Sequence, residues 1–454
     1  LIHNIKNIGR SLRELDGMFA FSLYDSETNT TYLGRDFIGR MPLYYHYDGE
    51  KFGYCSEAKG LRVGLDTPYY KIDVKSKYHK MADVKDKETI YPVLPGHLIT
   101  FEPHPFVTDS YEIKEEVWYT FKDEYDKDNQ SYYTRDEEQF RHFEQEDKGV
   151  DYYVNGFKDI VNEAVDNELI SDVPVCTILS GGIDSTIITY LLSKKLKNVE
   201  AFVVNVNPLR KSKYKDDLYY ARMAAKEFGI KLHEVNVDRE DIEKKLKESI
   251  WASETFKWTQ VSPAVAQLFL AEEIEKQGYK VVFGGEGADE IFASYGDVKR
   301  FCWNEPVHWH QKRINLLNGL HKSNLVRTNK SMMYGGTVEL RTPFLNKEVI
   351  DFGLRIPTKY RDENYEVRKN FEYKTTEHSD GNVMKFILRK AFENDISEEL
   401  LWRPKKTFQV GCHTDYLKTE EPMMYKVFGE LFVKGNGYTE YLSKSDKKIN
   451  LEKK

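Results

Sequence analysis

Short apolar runs separated by polar turns fill the first quarter of the chain and predict a mostly β region. Residues 18–24 form one such run, residues 25–29 a polar turn, and residues 30–34 a second run, so we predict a β-hairpin there. Further short strands are expected at 51–56 and at 97–102, the latter directly after a Pro-Gly turn signal. The pattern therefore favours a β-rich domain at this end of the chain.

From residue 151 the pattern changes to alternating strands and helices. An apolar stripe at helical spacing comes first, between residues 154 and 165, and residues 300–430 are predicted to be mainly helical. Strands are predicted at 173–179, 199–206, 231–237 and 280–283, the third with alternating exposure, and helices at 218–228, 241–253 and 263–277. This alternation predicts an α/β domain with a doubly wound parallel sheet, in which ligands bind beyond the carboxyl ends of the strands.

Polar segments divide the chain. Residues 121–150 are almost entirely polar and charged, which predicts a linker, although an exposed excursion within one domain is an open alternative. The lysine-rich stretch 71–88 is interpreted as a surface insertion. We therefore predict a first domain over 1–120, a linker over 121–150, a second domain over 151–440 and a basic tail over 441–454.

Composition narrows the class of protein. A chain of 454 residues exceeds what one hydrophobic core supports, so two or three domains are expected. A net charge of −7 and a pI near 6.0 argue against a nucleic-acid partner. The four cysteines show no metal-binding spacing and predict free thiols in a reducing compartment. Since no run of about 18 apolar residues and no signal peptide is visible, we expect a cytoplasmic protein without membrane spans.

The segment Leu-Ser-Gly-Gly-Ile-Asp-Ser-Thr at 179–186 follows a predicted strand and opens a predicted helix. Such a turn aims backbone N–H groups and a helix N-terminus at one point, where an anion of the phosphate type can bind. Ser180 and Ser185 can add hydroxyl donors, whereas Asp184 needs a bridging Mg²⁺ to approach a phosphate. An ordinary strand-to-helix turn rich in small residues is the alternative interpretation. The segment matches neither a Walker loop nor Gly-x-Gly-x-x-Gly.

A second motif, Gly-Gly-Glu-Gly-Ala-Asp-Glu at 284–290, follows the predicted strand 280–283. An acidic first turn of a helix, favoured by the helix dipole, is the structural alternative. At a strand end beside the glycine turn, however, Asp289 and Asp184 could hold Mg²⁺ on a triphosphate. Glu286 could then position or deprotonate a nucleophile.

Two cationic segments complete the set of candidates. Lys385 lies where a predicted helix begins, and Lys405 lies in a loop bounded by Trp402 and Phe408. A lone lysine is usually a solvated surface group. A lysine in an aromatic-bounded loop is a better candidate for reaching a phosphate or a developing negative charge.

The segment 180–185 resembles the pyrophosphate loop of the ATP-pyrophosphatase group, which also contains GMP synthetase, NAD synthetase and tRNA-thiolating enzymes. Its surroundings resemble the asparagine synthetase family. The motifs that carry this resemblance, in chain order, lie at 15–21, 34–36 with 42–45, 180–185, 285–290, 341–345, and 385 with 402–405. The resemblance covers most of residues 10–415. It implies an ATP-pyrophosphatase-type synthetase domain preceded by an incomplete α+β N-terminal-nucleophile glutaminase domain.

The resemblance also implies the chemistry. The substrate carboxylate would attack the α-phosphate of ATP, pyrophosphate would leave, and ammonia would displace AMP from the acyl-adenylate. Glu286 would assist ammonia attack, while Lys385 and Lys405 would neutralise phosphate charge. The implied binding residues are Ser180, Gly181, Gly182, Asp184 and Ser185 for pyrophosphate, Leu179, Val204 and Gly285 for adenine, and Asp184 and Asp289 for Mg²⁺.

Two departures from the family pattern affect these expectations. The family's glutaminase uses an N-terminal cysteine, but this sequence starts at Leu1 and has its first cysteine at Cys55, so we expect use of free ammonia unless the missing segment is supplied. The segment 253–263 is shorter than the family's stretch near the substrate pocket and lacks its arginine, with Lys257 nearby. Aspartate is the expected acceptor from the resemblance, but this departure opens the alternatives of a sugar acid or a β-lactam-synthetase-like cyclisation. A non-catalytic regulatory homologue is the alternative from a different class. The expected partners are ATP, the carboxylate and ammonia or glutamine, and a homodimer is left open.

Overall fold

The structure is a computed structural model that describes residues 7–49, 51–65, 71–72, 89–104, 111–121, 147–207, 216–295, 306–360, 384–403 and 408–432. The strands of these ranges are β1 Ala20–Asp25, β2 Thr30–Arg35, β3 Tyr44–Tyr47, β4 Phe52–Cys55, β5 Lys71–Ile72, β6 Thr89–Pro92, β7 His97–Pro103, β8 Tyr111–Val117, β9 Val175–Ile178, β10 Glu200–Val206, β11 Lys231–Val237, β12 Val281–Phe283 and β13 Glu339–Arg341.

The α-helices of the same ranges are Ile8–Leu12, Ala58–Leu65, Val150–Glu168, Ile183–Lys195, Asp217–Phe228, Arg239–Ser253, Trp258–Lys276, Ala288–Ile291, Pro306–Gly319, Asn324–Gly336, Lys347–Leu354, Phe386–Ala391, Glu398–Leu401, Phe408–Gly411 and Glu421–Phe432. Short 3₁₀ helices lie at Leu320–Lys322, Pro343–Leu345, Thr358–Tyr360 and Asp415–Glu420. No helix in the described ranges is long and apolar enough to cross a bilayer.

Eight short strands build the N-terminal region as two four-stranded sheets, in the orders β1-β2-β7-β8 and β4-β3-β6-β5. The predicted hairpin is confirmed, because β1 pairs antiparallel with β2 from Ala20 opposite Arg35 to Asp25 opposite Thr30. Apolar side chains from both sheets form one core between them, among them Leu33, Ile99 and Tyr45. The polar stretch 73–88, predicted as a surface insertion, lies outside the described residues.

The predicted doubly wound sheet is confirmed. Five parallel strands lie in the order β11-β10-β9-β12-β13, so the chain leaves the central strand β9 first toward one edge and later toward the other. Alternate residues of one strand face opposite layers: Ala201 and Val203 enter one core, and Phe202 and Val204 the other. Both faces are thus covered by helices, as near-continuous apolar strands require.

Two local predictions were wrong. We placed the start of a helix at Pro263, but the helix Trp258–Lys276 begins five residues earlier and contains this proline. Fully buried Val261 draws the earlier turn into the core, so packing outweighs the proline signal. The strand Glu339–Arg341 was not predicted, because three residues are too short to show a period and its register comes from pairing with β12.

The N-terminal sheets pack directly against the α/β region. Ile8, Leu12 and Trp118 share a hydrophobic core with Phe157 and its neighbours. Elsewhere, Glu254 forms a buried ion pair with Lys330 and accepts from the Lys59 N–H of the N-terminal region at 2.6 Å. The predicted linker lies mostly outside the described residues, as does the predicted tail, so the proposed domain boundaries stay predictions.

Candidate active site

The glycine turn lies at the carboxyl end of the central strand, where β9 passes into the helix Ile183–Lys195. Gly181 has φ 71°, and a Cβ atom there would lie 2.5 Å from the carbonyl oxygen of Asp217, so only glycine fits without strain. The Ser185 hydroxyl accepts from the Ser180 N–H at 3.2 Å, and the Ser180 hydroxyl accepts from the Gly182 N–H at 3.3 Å. The turn is therefore fixed by its own serines, and both residues line the adjoining cavity.

The two sequence motifs are in contact. A Cβ atom at Gly285 would lie 2.7 Å from the Ser185 nitrogen and 2.8 Å from Asp184 Cβ, so a side chain at this position would push the loops apart. The strands β9 and β12 that carry the motifs are paired neighbours at the point where the strand order reverses. The structure thus brings the anion turn and the acidic motif together at a topological switch point, where doubly wound sheets bind ligands.

Lys385 links the two predicted metal ligands. Its Nζ donates to Asp184 Oδ1 at 2.6 Å and Oδ2 at 2.5 Å, and lies 2.6 Å from Asp289 Oδ1. The lysine side chain is 1% exposed, while the two carboxylates are 20% and 25% exposed. Burial lowers the pKa of Lys385, but the two carboxylates outweigh burial and hold that pKa above its usual range. The predicted phosphate-neutralising lysine is therefore anchored by carboxylates.

The residues present are compatible with Mg²⁺. Asp184 and Asp289 both contact the Lys385 ammonium, so their carboxylates converge on one point. Mg²⁺ in proteins usually takes one or two carboxylates and completes its shell with phosphate oxygens and water. Among the described residues no cluster of three or more His, Cys, Asp or Glu side chains forms a self-sufficient metal site. These residues would therefore bind the ion together with a phosphate ligand, and their assignment as ligands stays a prediction.

Two further carboxylates line the same cavity, and both have a raised pKa. Glu286 Oε2 is buried without a hydrogen-bond partner among the described residues. Burial raises the pKa of Glu286, with an opposing effect from Arg327 and a reinforcing one from Asp184. Burial, reinforced by Asp289, raises the pKa of Glu290 to about 7. Glu290 can therefore exchange a proton near neutral pH, and burial shifts the pKa of Glu286 upward as well.

Sequence reasoning missed an arginine that fastens the anion turn. Arg403 is buried, donates through Nη1 to the Gly181 carbonyl and through Nη2 to Asp217 Oδ1 at 2.7 Å, and stacks over the Tyr220 ring. It lies in the cationic loop that the sequence singled out for Lys405, which itself falls outside the described residues. The arginine's place in a motif was visible, but its burial against the turn depends on tertiary packing.

A second missed residue lies on the helix Asn324–Gly336. Arg327 is 9% exposed, lines the cavity beside Glu286, and is held by side-chain oxygens of neighbouring helices. Nothing in the sequence distinguished it from a solvated helix arginine. Lys257, the cation of the segment that lacks the family's pocket arginine, is an exposed N-cap outside the cavity lining.

The cavity has a volume of about 210 Å³ and collects most of the predicted site. Two predicted adenine-lining residues are placed differently: Leu179 and Val204 are buried in the two cores, and neither side chain lines this cavity. Their proposed contact with adenine stays a prediction. The predicted residues that do line it are Ser180, Gly182, Asp184, Ser185, Gly285, Glu286, Asp289 and Lys385.

Comparison with known proteins agrees with this arrangement. The asparagine synthase family matches residues 156–310 and 303–438, and a glutamine amidotransferase domain matches residues 1–112. Asparagine synthetase [glutamine-hydrolyzing] of Homo sapiens is 29% identical over 419 residues, covering 89% of this chain and 65% of the relative. Asparagine synthetase B of Escherichia coli (strain K12) is 27% identical over 422 residues, covering 90% and 63%. The chain thus spans slightly under two thirds of the length of these relatives.

Solved structures give weaker similarities. The U34-tRNA thiolase NcsA from Methanococcus maripaludis has a TM-score of 0.26 at 15% identity, covering 64% of this chain and 80% of that chain. The NH3-dependent NAD synthetase from Campylobacter jejuni has a TM-score of 0.25 at 18% identity, covering 60% and 97%. The sequence matches do not depend on these similarities. They extend over the anion turn, the acidic motif and the Lys385 segment, and they show that this chain belongs to the asparagine synthase family.

Proposed function

We propose that this chain activates aspartate with ATP as an acyl-adenylate, releases pyrophosphate, and transfers ammonia to give asparagine and AMP. The observation that carries the proposal is the junction of the two motifs, where Lys385 joins Asp184 of the anion turn to Asp289 of the acidic motif. A synthetase of this kind needs a phosphate cradle and a proton acceptor at one place. The anion turn is the proposed phosphate cradle, and Glu286 of the adjoining acidic motif is the proposed proton acceptor.

The anion turn is suited to the pyrophosphate part of ATP. The helix Ile183–Lys195 directs its N-terminus and the hydroxyls of Ser180 and Ser185 toward the cavity. Arg403, which also lines the cavity, holds the turn by donating to the Gly181 carbonyl. A preorganised turn of this kind binds an anion without paying for reordering when the ligand arrives.

In the adenylation step, an oxygen of the acceptor carboxylate forms a bond to the α-phosphorus, and the bond from that phosphorus to the pyrophosphate oxygen breaks. Negative charge develops on the leaving pyrophosphate, and Lys385 supplies a buried positive charge next to the turn. Mg²⁺, when bound with ATP, would neutralise further phosphate charge between Asp184 and Asp289. Arg389 lies in the same cavity lining and adds positive potential there.

In the amidation step, ammonia attacks the acyl carbon, and the bond from that carbon to the AMP oxygen breaks. The attacking nitrogen must lose a proton, and Glu286 is the proposed acceptor because it lines the cavity and its raised pKa favours proton capture. Ammonia is supplied free or is released from glutamine. AMP leaves with an oxygen that belonged to the acceptor carboxylate.

Exchange of labelled pyrophosphate into ATP tests the proposal. Exchange should require an added acid, with L-aspartate active, and AMP should accumulate once ammonium chloride is added. Asp184→Asn should reduce exchange by about a hundredfold, because it removes a charge at the turn. Asp166→Asn, which alters an exposed ion pair with Lys195, serves as the matched control and should leave the rate unchanged. Exchange with other acids but not L-aspartate would refute aspartate as acceptor, and no exchange with any acid would favour a non-catalytic homologue.

A further inference from the structure

The Lys385 ammonium lies at the point where the two predicted Mg²⁺ ligands converge. Its nitrogen is within 2.6 Å of both carboxylate oxygens of Asp184 and of Oδ1 of Asp289. One ammonium therefore uses three carboxylate oxygens in short, charge-assisted hydrogen bonds. A Mg²⁺ ion bound to one of these oxygens at about 2.1 Å would lie within about 5 Å of the ammonium nitrogen, where the two cations repel each other.

Two buried cations oppose the charge of the two carboxylates. Arg389 lines the same cavity, and both Asp184 and Asp289 counteract the lowering of its pKa by burial, so the guanidinium is within their electrostatic reach. Lys385 and Arg389 are only 1% and 3% exposed. A Mg²⁺ ion that entered without an anion would therefore add two positive charges to a group that is already balanced, which is unfavourable in a mostly buried site.

The backbone fixes the position from which the lysine side chain extends. Lys385 has φ 61° and ψ 43°, a left-handed conformation that residues with a Cβ atom seldom adopt. The following turn holds it, since the Arg389 N–H donates to the Lys385 carbonyl at 3.0 Å and the Arg389 Nε donates to the Met384 carbonyl at 2.8 Å. Unusual backbone conformations that are held in this way are concentrated at functional sites. The ammonium can thus change partners by rotation of its flexible four-carbon stem, without movement of the backbone.

The anion turn offers the ammonium a second partner. Asp184 lies in the first turn of the helix Ile183–Lys195, which begins at the anion turn, so a phosphate bound there would lie beside Lys385. The carboxylates of Asp184 and Asp289 are 20% and 25% exposed, so a metal ion that arrives with this phosphate can reach them from the solvent side. The phosphate then becomes the counter-charge of the lysine, and the metal ion becomes the counter-charge of the carboxylates.

We infer that the Lys385 ammonium keeps free divalent cations away from the Asp184–Asp289 pair and moves to a phosphate of the nucleotide when Mg²⁺ enters with that nucleotide. The order of binding is thereby built into the site, because the metal cannot occupy the pair before the nucleotide does. This inference goes beyond the proposed function, since it concerns cation binding and does not depend on which acid is activated. The exchange of partners makes and breaks no covalent bond.

Binding of Mn²⁺ without nucleotide, followed by the loss of the electron paramagnetic resonance signal of the free ion, tests the inference. Lys385→Met should bind Mn²⁺ roughly tenfold or more tightly than the wild type, because a unit charge and a doubly charged ion about 5 Å apart repel by that much even in the dielectric of water. Lys385→Arg keeps the positive charge and should bind Mn²⁺ as weakly as the wild type. Adding Asp289→Asn to Lys385→Met should abolish the gain, because it removes one of the two carboxylates.

Thermal unfolding gives a second measurement that does not depend on activity. MgCl₂ without nucleotide should raise the melting temperature of Lys385→Met but should affect the wild type no more than NaCl of equal ionic strength. In the wild type, a non-hydrolysable ATP analogue should raise the melting temperature more with Mg²⁺ than with EDTA. If Lys385→Met does not fold without metal, Mg²⁺ should restore its unfolding transition, and Lys385→Gln is measured as a second neutral variant.

The matched control is Lys195→Met, which lies at the other end of the same helix and removes the ammonium that pairs with Asp166. It should change neither the affinity for Mn²⁺ nor the response to MgCl₂. Equal Mn²⁺ affinities of the wild type and the neutral variants, or a gain that survives Asp289→Asn, would overturn the inference. A wild type that Mg²⁺ stabilises no further in the presence of the analogue would overturn it as well.

These results are separable from the fate of the proposed function. A wild type that shows no pyrophosphate exchange but excludes Mn²⁺ until Lys385 is neutralised supports the inference, while the proposed function fails. Exchange with L-aspartate by a chain whose Mn²⁺ affinity is the same with and without the Lys385 ammonium overturns the inference and leaves the proposed function intact.

Discussion

Replacing Lys385 by methionine tests the junction of the two motifs through stability. The change keeps an unbranched side chain that is one heavy atom shorter and removes the ammonium that touches Asp184 and Asp289. Since each carboxylate has an oxygen within 2.6 Å of the same nitrogen, these oxygens lie within about 5 Å of each other. Like charges at that distance repel by about 3 kcal/mol at an effective dielectric constant of about 20. We expect the free energy of unfolding at pH 7 to fall by about 3 kcal/mol, in line with other broken buried ion pairs.

The direction in which the stability deficit changes with pH follows from the charges involved. In the variant, the deficit should shrink as the pH falls, because protonation of either carboxylate removes the repulsion. In the wild type, the carboxylates raise the pKa of Lys385 against the effect of burial. Its contribution is therefore fully present below the unfolded lysine pKa of about 10.4 and is lost only as the pH rises through the higher folded value. Between pH 5 and pH 9, any change with pH in the stability difference between the two proteins should thus come from the carboxylates of the variant.

Urea unfolding at pH 5, 7 and 9 measures the effect. The matched control is Lys245→Met, which removes a lysine that is 15% exposed and bridges Glu248 and Glu272 away from the cavity. This bridge includes partly exposed carboxylates and should contribute less than about 1 kcal/mol. A deficit for Lys385→Met no larger than that of the control, or one that grows on acidification, would show that Lys385 does not hold the two motifs together.

Three further substitutions address separate parts of the account. Glu286→Gln should preserve aspartate-dependent exchange within a few-fold and slow amide formation by about 10²–10⁴-fold. Because burial raises the pKa of Glu286, the wild-type amidation rate should rise with pH as this carboxyl group loses its proton, and the rise should be absent from the pH–rate profile of the variant. Gly181→Ala places a Cβ atom 2.5 Å from the Asp217 carbonyl oxygen at φ 71°, so KM for ATP in the exchange assay should rise at least tenfold and stability should fall by about 1–3 kcal/mol. Glu254→Gln should lower the free energy of unfolding, measured in urea at pH 7, by about 3 kcal/mol, because it leaves the buried Lys330 ammonium without its carboxylate. Burial raises the pKa of Glu254, but Lys330 outweighs burial and lowers that pKa overall. The stability that this ion pair contributes to the wild type should therefore be lost as the pH falls through the lowered pKa of folded Glu254.

Local patterns in the sequence were sufficient for the sheet and for the anion turn. The strands Glu200–Val206 and Lys231–Val237 were predicted within a residue, the first from its apolar run and the second from its alternation of apolar and polar residues. The turn at 180–185 was predicted because a glycine pair between a strand and a helix is visible without knowledge of any other element.

The partners of that turn could not be predicted from local patterns. Lys385 is 201 residues from Asp184, and its burial between two carboxylates comes from the packing of distant segments. Arg327 appears in the sequence as an ordinary helix cation, and Arg403 as one of several cations in a loop whose packing is not visible. Their function depends on which side of a helix or loop faces the cavity. For Leu179 and Val204 a family position suggested a contact with adenine; the structure places both side chains in the cores, and that contact stays a prediction.

The central claim is that a carboxylate is activated as an acyl-adenylate, and the fate of a carboxylate oxygen tests it most directly. L-aspartate labelled with ¹⁸O in its side-chain carboxylate is incubated with the chain, ATP, Mg²⁺ and ammonium chloride, and the nucleotide products are analysed by mass spectrometry. The account predicts one ¹⁸O atom in AMP and none in pyrophosphate, because AMP departs with the oxygen that attacked the α-phosphorus. Label in inorganic phosphate together with ADP, or unlabelled AMP, would contradict it.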